Sequence, residues 1–234
     1  MIVLGIDTSG YQNAVGIADG DTVLADFNYE ARNSSLRQII THLETVLGEA
    51  RLKLEDIGGI GVGLGPGSWT GIRIGVTVAK MLAYATGIPL AGVPTLEALA
   101  IDVSGAAPVC AVVGAGTGDM VYAAVYDGSA GILSRVGEYY TGDIAGLTSL
   151  ITGPSVCVVS GLKYDGGQRE RLERIPGYLR LIDAAPGGAA VARLAARRLQ
   201  RGERDDVLSL SPLYLKESTA RAFQSRRVRV AGQE

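Results

Sequence analysis

Two turns hold the residues of this chain whose types and spacing could do chemistry. Asp7-Thr8-Ser9-Gly10 closes the short apolar run that begins at Ile2. Gly63-Leu64-Gly65-Pro66-Gly67-Ser68-Trp69-Thr70-Gly71-Ile72-Arg73 follows an apolar run from Ile60 to Leu64 and leads into Ile72 to Thr86, a stretch without proline. The second is thus a strand-to-helix turn dense in glycine. Glycine lets backbone N–H groups come close to a ligand, and Ser68 or Thr70 can cap the helix behind it. The free N–H donors and positive dipole end of a helix N-terminus make such a turn an anion cradle, suited to a phosphate. It is neither a P-loop, since no lysine follows the last glycine, nor a dinucleotide fingerprint, since no Gly-x-Gly-x-x-Gly can be read. Tight strand–helix packing without a ligand is the competing use of the same glycines. For the first turn the competitor is a β-turn whose Asp7 carboxylate satisfies local N–H groups.

The elements that must position these turns alternate strand and helix. Ile2 to Asp7 reads as a strand, and Ala14 to Ala18 and Thr22 to Tyr29 as two more, split by the hairpin signal Asp19-Gly20-Asp21. Leu36 to Ala50 has apolar residues at helical spacing, with Ser34 or Ser35 able to cap it. The helix Ile72 to Thr86 carries a ridge of small residues, Gly75, Ala79 and Ala83, and is apolar on nearly every face. Such a helix is covered on more than one side, and a chain of this size has few layers to spare, so a partner on one face is expected. Leu90 to Val93 reads as a strand and Thr95 to Val103 as a helix capped by Thr95. Ser104 to Pro108 marks a lobe boundary. Strands at Val109 to Val113, Met120 to Tyr126 and Ile132 to Tyr140 then repeat the layout of residues 2–29. A short helix from Asp143 to Ile151, a strand from Ser155 to Ser160, a loop from Gly161 to Gly167 and an Ala-rich helix from Gly187 to Arg201 complete the second lobe. Arg193, Arg197 and Arg198 read as a solvated face of that last helix, and 217–234 as a polar, mobile tail. The organisation is α/β: lobes at 1–104 and 105–216, each a mixed sheet with flanking helices.

The totals exclude several functions. Twenty-two Lys and Arg against 24 Asp and Glu give a net charge of −2, without the basic excess of a dedicated nucleic-acid grip. No apolar run is long enough to span a bilayer, and Asp7 interrupts the apolar start before it could serve as a signal segment, so a cytoplasmic protein with no membrane contact is expected. Cys110 and Cys157 sit in strand-like runs and read as small core residues, not a disulfide. With one histidine, His42, and two distant cysteines, no metal site is expected. His42 reads as a solvated residue on the polar side of its helix. No Gly-x-Ser-x-Gly elbow is present, and any Ser–His–Asp or Cys–His arrangement would have to recruit His42.

The wording of the second turn is distinctive. Gly65-Pro66-Gly67-Ser68-Trp69-Thr70-Gly71-Ile72-Arg73-Ile74-Gly75, Ala79-Lys80 and Pro94-Thr95-Leu96 resemble the TsaB (YeaZ) family, whose text is close to G-P-G-S-F-T-G-L-R-I-G. Ile6-Asp7-Thr8-Ser9 and Pro212-Leu213-Tyr214-Leu215-Lys216 match its opening and closing segments. The resemblance implies two actin-like (ribonuclease H-like) lobes. It implies a non-catalytic scaffold that binds a TsaD-like catalytic subunit, with a TsaE-like ATPase joining, in a complex that makes threonylcarbamoyladenosine at adenosine 37 of tRNA. The tRNA would be met only through that complex, and the chain alone would form a homodimer. No cofactor is required in this reading, while weak ATP or ADP binding at Asp7, Thr8, Ser9, Gly65, Gly67, Ser68 and Thr70 stays open. The contact surface would use Leu36, Ile39, Ile40 and Leu43 of one helix and Arg73, Val76, Lys80, Met81 and Tyr84 of the other. The sequence departs from the family at Gly114-Ala115-Gly116-Thr117-Gly118-Asp119, where relatives carry Asp and Arg. Without a carboxylate at the head of that turn, phosphoryl transfer lacks a magnesium anchor and a base. The alternative is a small actin-like ATPase or small-molecule kinase that uses the Asp7 and Gly65–Gly71 turns.

Overall fold

The structure is a computed structural model that describes residues 1–30, 36–103, 105, 107–115, 118–129, 133–151, 153–162 and 167–215. Strands β1 (Ile2–Asp7), β2 (Gln12–Asp19) and β3 (Thr22–Glu30) form an antiparallel meander, and β4 (Gly59–Gly63) and β5 (Leu90–Val93) extend it in parallel on the other side of β1. The order is β3-β2-β1-β4-β5. A second sheet is built from β6 (Val109–Gly114), β7 (Met120–Asp127), β8 (Ser134–Asp143), β9 (Ser155–Ser160) and β10 (Tyr178–Asp183), in the order β8-β7-β6-β9-β10. Its pairings are antiparallel and parallel in the same sequence as those of the first. The duplication read from the strand pattern is therefore a duplication of topology.

On one face of the first sheet lie α1 (Leu36–Glu49) and α2 (Trp69–Thr86), with Leu4, Ile6, Ile60 and Val62 facing Ile39, Val46 and Val76. The other face is bare of side chains at its centre. Gly5 stands opposite Gly16 on β2 and opposite Gly61 on β4, so a row of three glycines crosses three neighbouring strands. Helix α5 (Gly188–Gln200) lies in that furrow. A Cβ on Gly5 would come within 2.0 Å of the Gly188 carbonyl oxygen, one on Gly16 within 2.3 Å of the Ala189 nitrogen, and one on Gly61 within 2.7 Å of the Ala195 Cβ. The helix answers with small residues of its own, Ala189, Ala192, Ala195 and Ala196, all buried. Asp26 of β3 accepts from the Ala189 N–H at 3.0 Å and occupies the helix N-terminus.

Here the structure corrects the domain boundaries. The helix α5 belongs by position to the second lobe, yet it packs on the first sheet. The short α3 (Thr95–Ile101) does the reverse: Leu96, Leu99 and Ala100 share a core with Val109, Ala111, Tyr126 and Val158 of the second sheet. Residues 203–215 then return along the first lobe, where Asp205 N–H donates to the Leu90 carbonyl and Leu213 N–H to that of Leu64, both at 2.8 Å. A single cut at 104/105 does not separate the lobes. The arginines of α5 are likewise not a solvated face: Arg193 pairs with Asp102 (2.5 Å), Arg197 with Asp21 (2.7 Å) and Arg198 with Asp205 (3.2 Å), tying α5 to α3, to the β2–β3 hairpin and to the returning segment.

Boundaries shift where local signals compete. The helix α2 starts at Trp69, three residues earlier than Ile72, because the Ser68 hydroxyl accepts from the Gly71 N–H and begins the helix there. The stretch expected as a helix from Asp143 is a 3₁₀ turn at Ala145–Ser149. The short α4 (Gln168–Glu173) and strand β10 fall where no element was read. The proposed caps Ser34 and Ser35 and the tail 217–234 lie outside the described residues.

The glycine furrow is tested by substitution. Gly5→Ala is expected to cost about 1–3 kcal/mol or more by overpacking against α5. Gly48→Ala, inside α1 with open space where its Cβ would go, is expected to add up to about 1 kcal/mol. Urea denaturation of both variants checks the opposite signs.

Candidate functional site

The two chemical turns meet where β1 ends and α2 begins, and they are closed onto each other. Ser68 N–H donates to the Ser9 carbonyl at 2.7 Å, and the Thr8 hydroxyl donates to the Gly71 carbonyl, also at 2.7 Å. The glycines make this approach possible. A Cβ on Gly67 would lie 2.2 Å from the Ser9 oxygen, one on Gly71 2.0 Å from the Thr8 oxygen, and one on Gly75 2.3 Å from Thr8 Oγ1. Close backbone approach was expected from these glycines. What approaches is the chain's own Asp7-Thr8-Ser9 turn.

Asp7, Thr8 and Ser9 are 0–2% exposed. The Asp7 carboxylate accepts from the Ser9 N–H (2.8 Å) and the Ser9 hydroxyl (2.5 Å) at Oδ1, and from the Thr95 hydroxyl (3.0 Å) at Oδ2. Thr95 opens α3 but is not its cap, which is Pro94. Its hydroxyl is given to Asp7 instead, and its N–H donates to the Gly65 carbonyl at 2.9 Å. Thus α3 locks both turns from a third direction. Burial among these neutral groups pushes the Asp7 carboxyl above its ordinary range, and the bonds from Ser9 and Thr95 pull the other way without cancelling it. Of the remaining expected phosphate contacts, Gly65 is buried, while Ser68 and Thr70 are exposed.

The corresponding turn of the second sheet differs. Ala115 N–H donates to the Met120 carbonyl at 2.9 Å, which carries the antiparallel β6–β7 ladder one step past Gly114. Asp119 is held by Arg171 of α4, and the Gly118 carbonyl accepts from the Gln168 side chain. Gly116 and Thr117 lie outside the described residues. Among the described residues no three His, Cys, Asp or Glu gather to hold a metal ion. His42 is not on a solvated face: its ring packs 3.8 Å from that of Tyr29 and 5.0 Å from that of Phe27, and burial lowers its pKa. Cys110 and Cys157 are free, buried and directly opposite each other on β6 and β9.

The expected contact surface is split by the structure. Ile39, Leu43 and Val76 are 5% exposed or less and belong to the first lobe's own core, so they are corrected to core residues. Ile39 and Leu43 bury the sheet-facing side of α1, and Val76 of α2 shares that core, against which Val207 and Leu210 of the segment 203–215 also pack. Leu36 lies in α1, its side chain outside the described set. Ile40, Met81 and Tyr84 are exposed, Tyr84 by 77%. Arg73 is exposed, and Lys80 donates to the carbonyls of Leu208 and Leu210, both at 3.0 Å. Sequence reasoning missed Trp69, Tyr214 and Leu208 as surface residues. The Trp69 and Tyr214 rings stack at 4.1 Å, the Arg73 guanidinium lies 4.3 Å over the Trp69 ring, and its Nε donates to the Tyr214 hydroxyl at 3.0 Å. Spacing could have paired Trp69 with Arg73 across one helical turn, but nothing local joins either to residue 214.

Three comparisons bear on this arrangement. The family model described as "TsaD: tRNA N6-adenosine threonylcarbamoyltransferase" matches residues 29–152. The tRNA threonylcarbamoyladenosine biosynthesis protein TsaB of Bacillus subtilis (strain 168) is 40% identical over 103 residues, 44% of this chain and 44% of that protein. The matched part of the chain thus spans less than half the length of this relative. Among solved structures, YeaZ from Pseudomonas aeruginosa superposes with a TM-score of 0.74 at 23% identity, covering 92% of this chain and 99% of that one. The ROK hexokinase from Thermus thermophilus superposes with a TM-score of 0.50 at 17% identity, over 86% of this chain and 100% of that one. At these identities the likeness shows the fold, which is the two-lobed actin-like one.

The closed turn makes a signed expectation. The folded-state pKa of Asp7 lies above its unfolded value near 3.8. Its contribution to stability is therefore full below that value and lost as pH rises through the folded pKa. Asp7→Asn removes the ionisation while keeping an acceptor, so its stability relative to the parent is expected to increase between pH 4 and pH 7. Asp7→Ala strands the Ser9 and Thr95 hydroxyls and is expected to cost about 1–3 kcal/mol. Urea titrations at both pH values measure the two differences. A relative loss for Asp7→Asn toward pH 7 would contradict this account of the buried carboxyl.

Proposed function

The chain belongs to the family described as TsaD: tRNA N6-adenosine threonylcarbamoyltransferase, and we infer that it stands in the TsaB (YeaZ) branch of it. On that premise we propose that it serves threonylcarbamoyladenosine synthesis at adenosine 37 of tRNA as a supporting subunit. It binds a TsaD-like catalytic subunit and performs no chemistry itself. The observation that carries this reading is the Asp7 turn, whose hydrogen bonds go to Ser9 and Thr95 and whose neighbouring glycines are filled by the chain's own backbone. A phosphate cradle needs those groups turned outward. The second turn supports the same reading, since Asp119 is engaged by Arg171.

The partner surface is the outer side of α1 and α2, with Ile40, Met81 and Tyr84 in place of the buried Ile39, Leu43 and Val76. Exposed large apolar residues gathered on one face are typical of an interaction site. The isolated chain self-associates through this face and exchanges its own copy for the TsaD-like subunit. A TsaE-like ATPase joins the pair, and tRNA is met through the assembly, in keeping with a net charge of −2. No nucleotide is required by this chain.

Reconstitution tests the proposal. TsaD-like and TsaE-like proteins, ATP, a threonylcarbamoyl donor and tRNA are expected to give modified tRNA only when this chain is added. Asp7→Asn is expected to support turnover like the parent. Met81→Glu or Tyr84→Glu is expected to abolish support while the isolated chain melts at its usual temperature, whereas Val76→Glu buries a charge in the core and unfolds it. ATP hydrolysis or sugar phosphorylation by the isolated chain, lost in Asp7→Asn, would promote the small ATPase or kinase reading instead.

A further inference from the structure

The large apolar side chains that remain exposed are unevenly placed. Among the described residues eleven are exposed, and six of them, Ile40, Trp69, Met81, Tyr84, Leu208 and Tyr214, lie on α1, α2 or the returning segment 203–215. That segment is not a neutral strap. It runs antiparallel to α2, with Leu208 and Leu210 beside Lys80 and Tyr214 beside Trp69 and Arg73. Trp69, Arg73, Lys80 and Tyr84 follow one another at four, seven and four residues, a single stripe along the helix. Lys80 fastens the segment to this stripe through two backbone carbonyls, so its ammonium is spent inside the chain.

We propose that the stacked cluster Trp69–Arg73–Tyr214 is the anchoring centre of the partner surface, so that the returning segment supplies part of that surface, and that the TsaD-like subunit meets it with an apolar surface carrying a carboxylate opposite Arg73. The inference rests on the supporting-subunit reading above and assigns its centre of affinity. Tryptophan, tyrosine and arginine are the residue types that dominate binding energy at protein interfaces. Here the three are already held in place by stacking and by the Arg73–Tyr214 hydrogen bond, so little side-chain freedom is lost when a partner docks. The charge of the occupant follows from the helix. Arg73 and Lys80 are the charged residues of α2, and Lys80 is engaged. Arg73 spends its Nε on Tyr214, and among the described residues no carboxylate pairs with its guanidinium. A planar cation braced on an aromatic ring is set to take a carboxylate through two parallel N–H donors. A second copy of the chain would bring the same carboxylate-free stripe, so the TsaD-like partner is the better match.

The test is surface plasmon resonance on the immobilised TsaD-like protein of the same organism, with the full chain and its single variants as analytes and the melting temperature of each recorded. Trp69→Ala and Arg73→Glu are expected to weaken binding by about 30-fold or more, the range of interface hot spots. Tyr214→Phe, which removes only the hydroxyl that orients Arg73, is expected to weaken it less. Arg73→Lys is expected not to restore parent affinity, and Arg73→Gln to show a shallower salt dependence than the parent. Val136→Ser, at an exposed apolar residue of the second lobe, is the control and is expected to bind as the parent does. If cluster variants bind normally while Met81→Glu does not, the inference is overturned and the supporting-subunit reading stands. If the parent chain fails to bind, that reading falls and the inference with it. Cluster variants that change affinity for a tRNA anticodon stem-loop but not for the protein would overturn the inference in favour of an RNA contact.

Discussion

Contact between backbones at positions without side chains is what the rest of this structure depends on. Gly16, Gly5 and Gly61 line up across three strands, and α5 lies against their main chain with Gly188 and its alanines. On the strand side of α2, Gly67, Gly71 and Gly75 admit the Asp7-Thr8-Ser9 turn in the same way. Each contact replaces a layer of side chains by direct van der Waals approach, the regime in which one added methyl group cannot be absorbed. Since α5 comes from the end of the chain and the sheet from its beginning, this approach closes the molecule. The arginines of α5 then reach Asp21, Asp102 and Asp205 because the helix sits so low.

The same closeness decides what the first turn can do. In an open cradle the N–H groups and hydroxyls around a carboxylate are left for a ligand. Here α3 crosses to the second lobe, and its first residue, Thr95, donates to Asp7 on the way. Ser9 uses both its N–H and its hydroxyl on the same carboxylate. The exchange of α3 and α5 between the two sheets thus fixes the architecture and fills the site. Exposed apolar residues lie instead on the outside of α2, where the returning segment adds Leu208 and Tyr214 to the helix's own.

Much of this was legible in the sequence, and the unreadable part has a physical pattern. Strands with apolar runs and a clear turn, such as β1, β5 and β9, have the limits their residues suggest, and the repeat of strand layout in residues 109–143 is a true repeat of topology. The glycines at Gly65 to Gly75 were recognised as places of close approach, but not what would approach. That depends on residues sixty positions earlier. Val76 and Met81 look equivalent by composition on a helix apolar all round. One is core and the other surface because of the sheet and the segment 203–215, neither of which periodicity can place. The short α4 escaped because a six-residue element rich in charge carries little periodic signal, and β10 because a short apolar run broken by Arg180 fits strand and helix alike.

We propose that this chain's surface, not its first turn, carries its function. Light scattering of the purified chain mixed with the TsaD-like protein of its own organism tests it most directly. The self-associated form is expected to disappear and a one-to-one complex to take its place. Two species that keep their separate masses at micromolar concentration would contradict it.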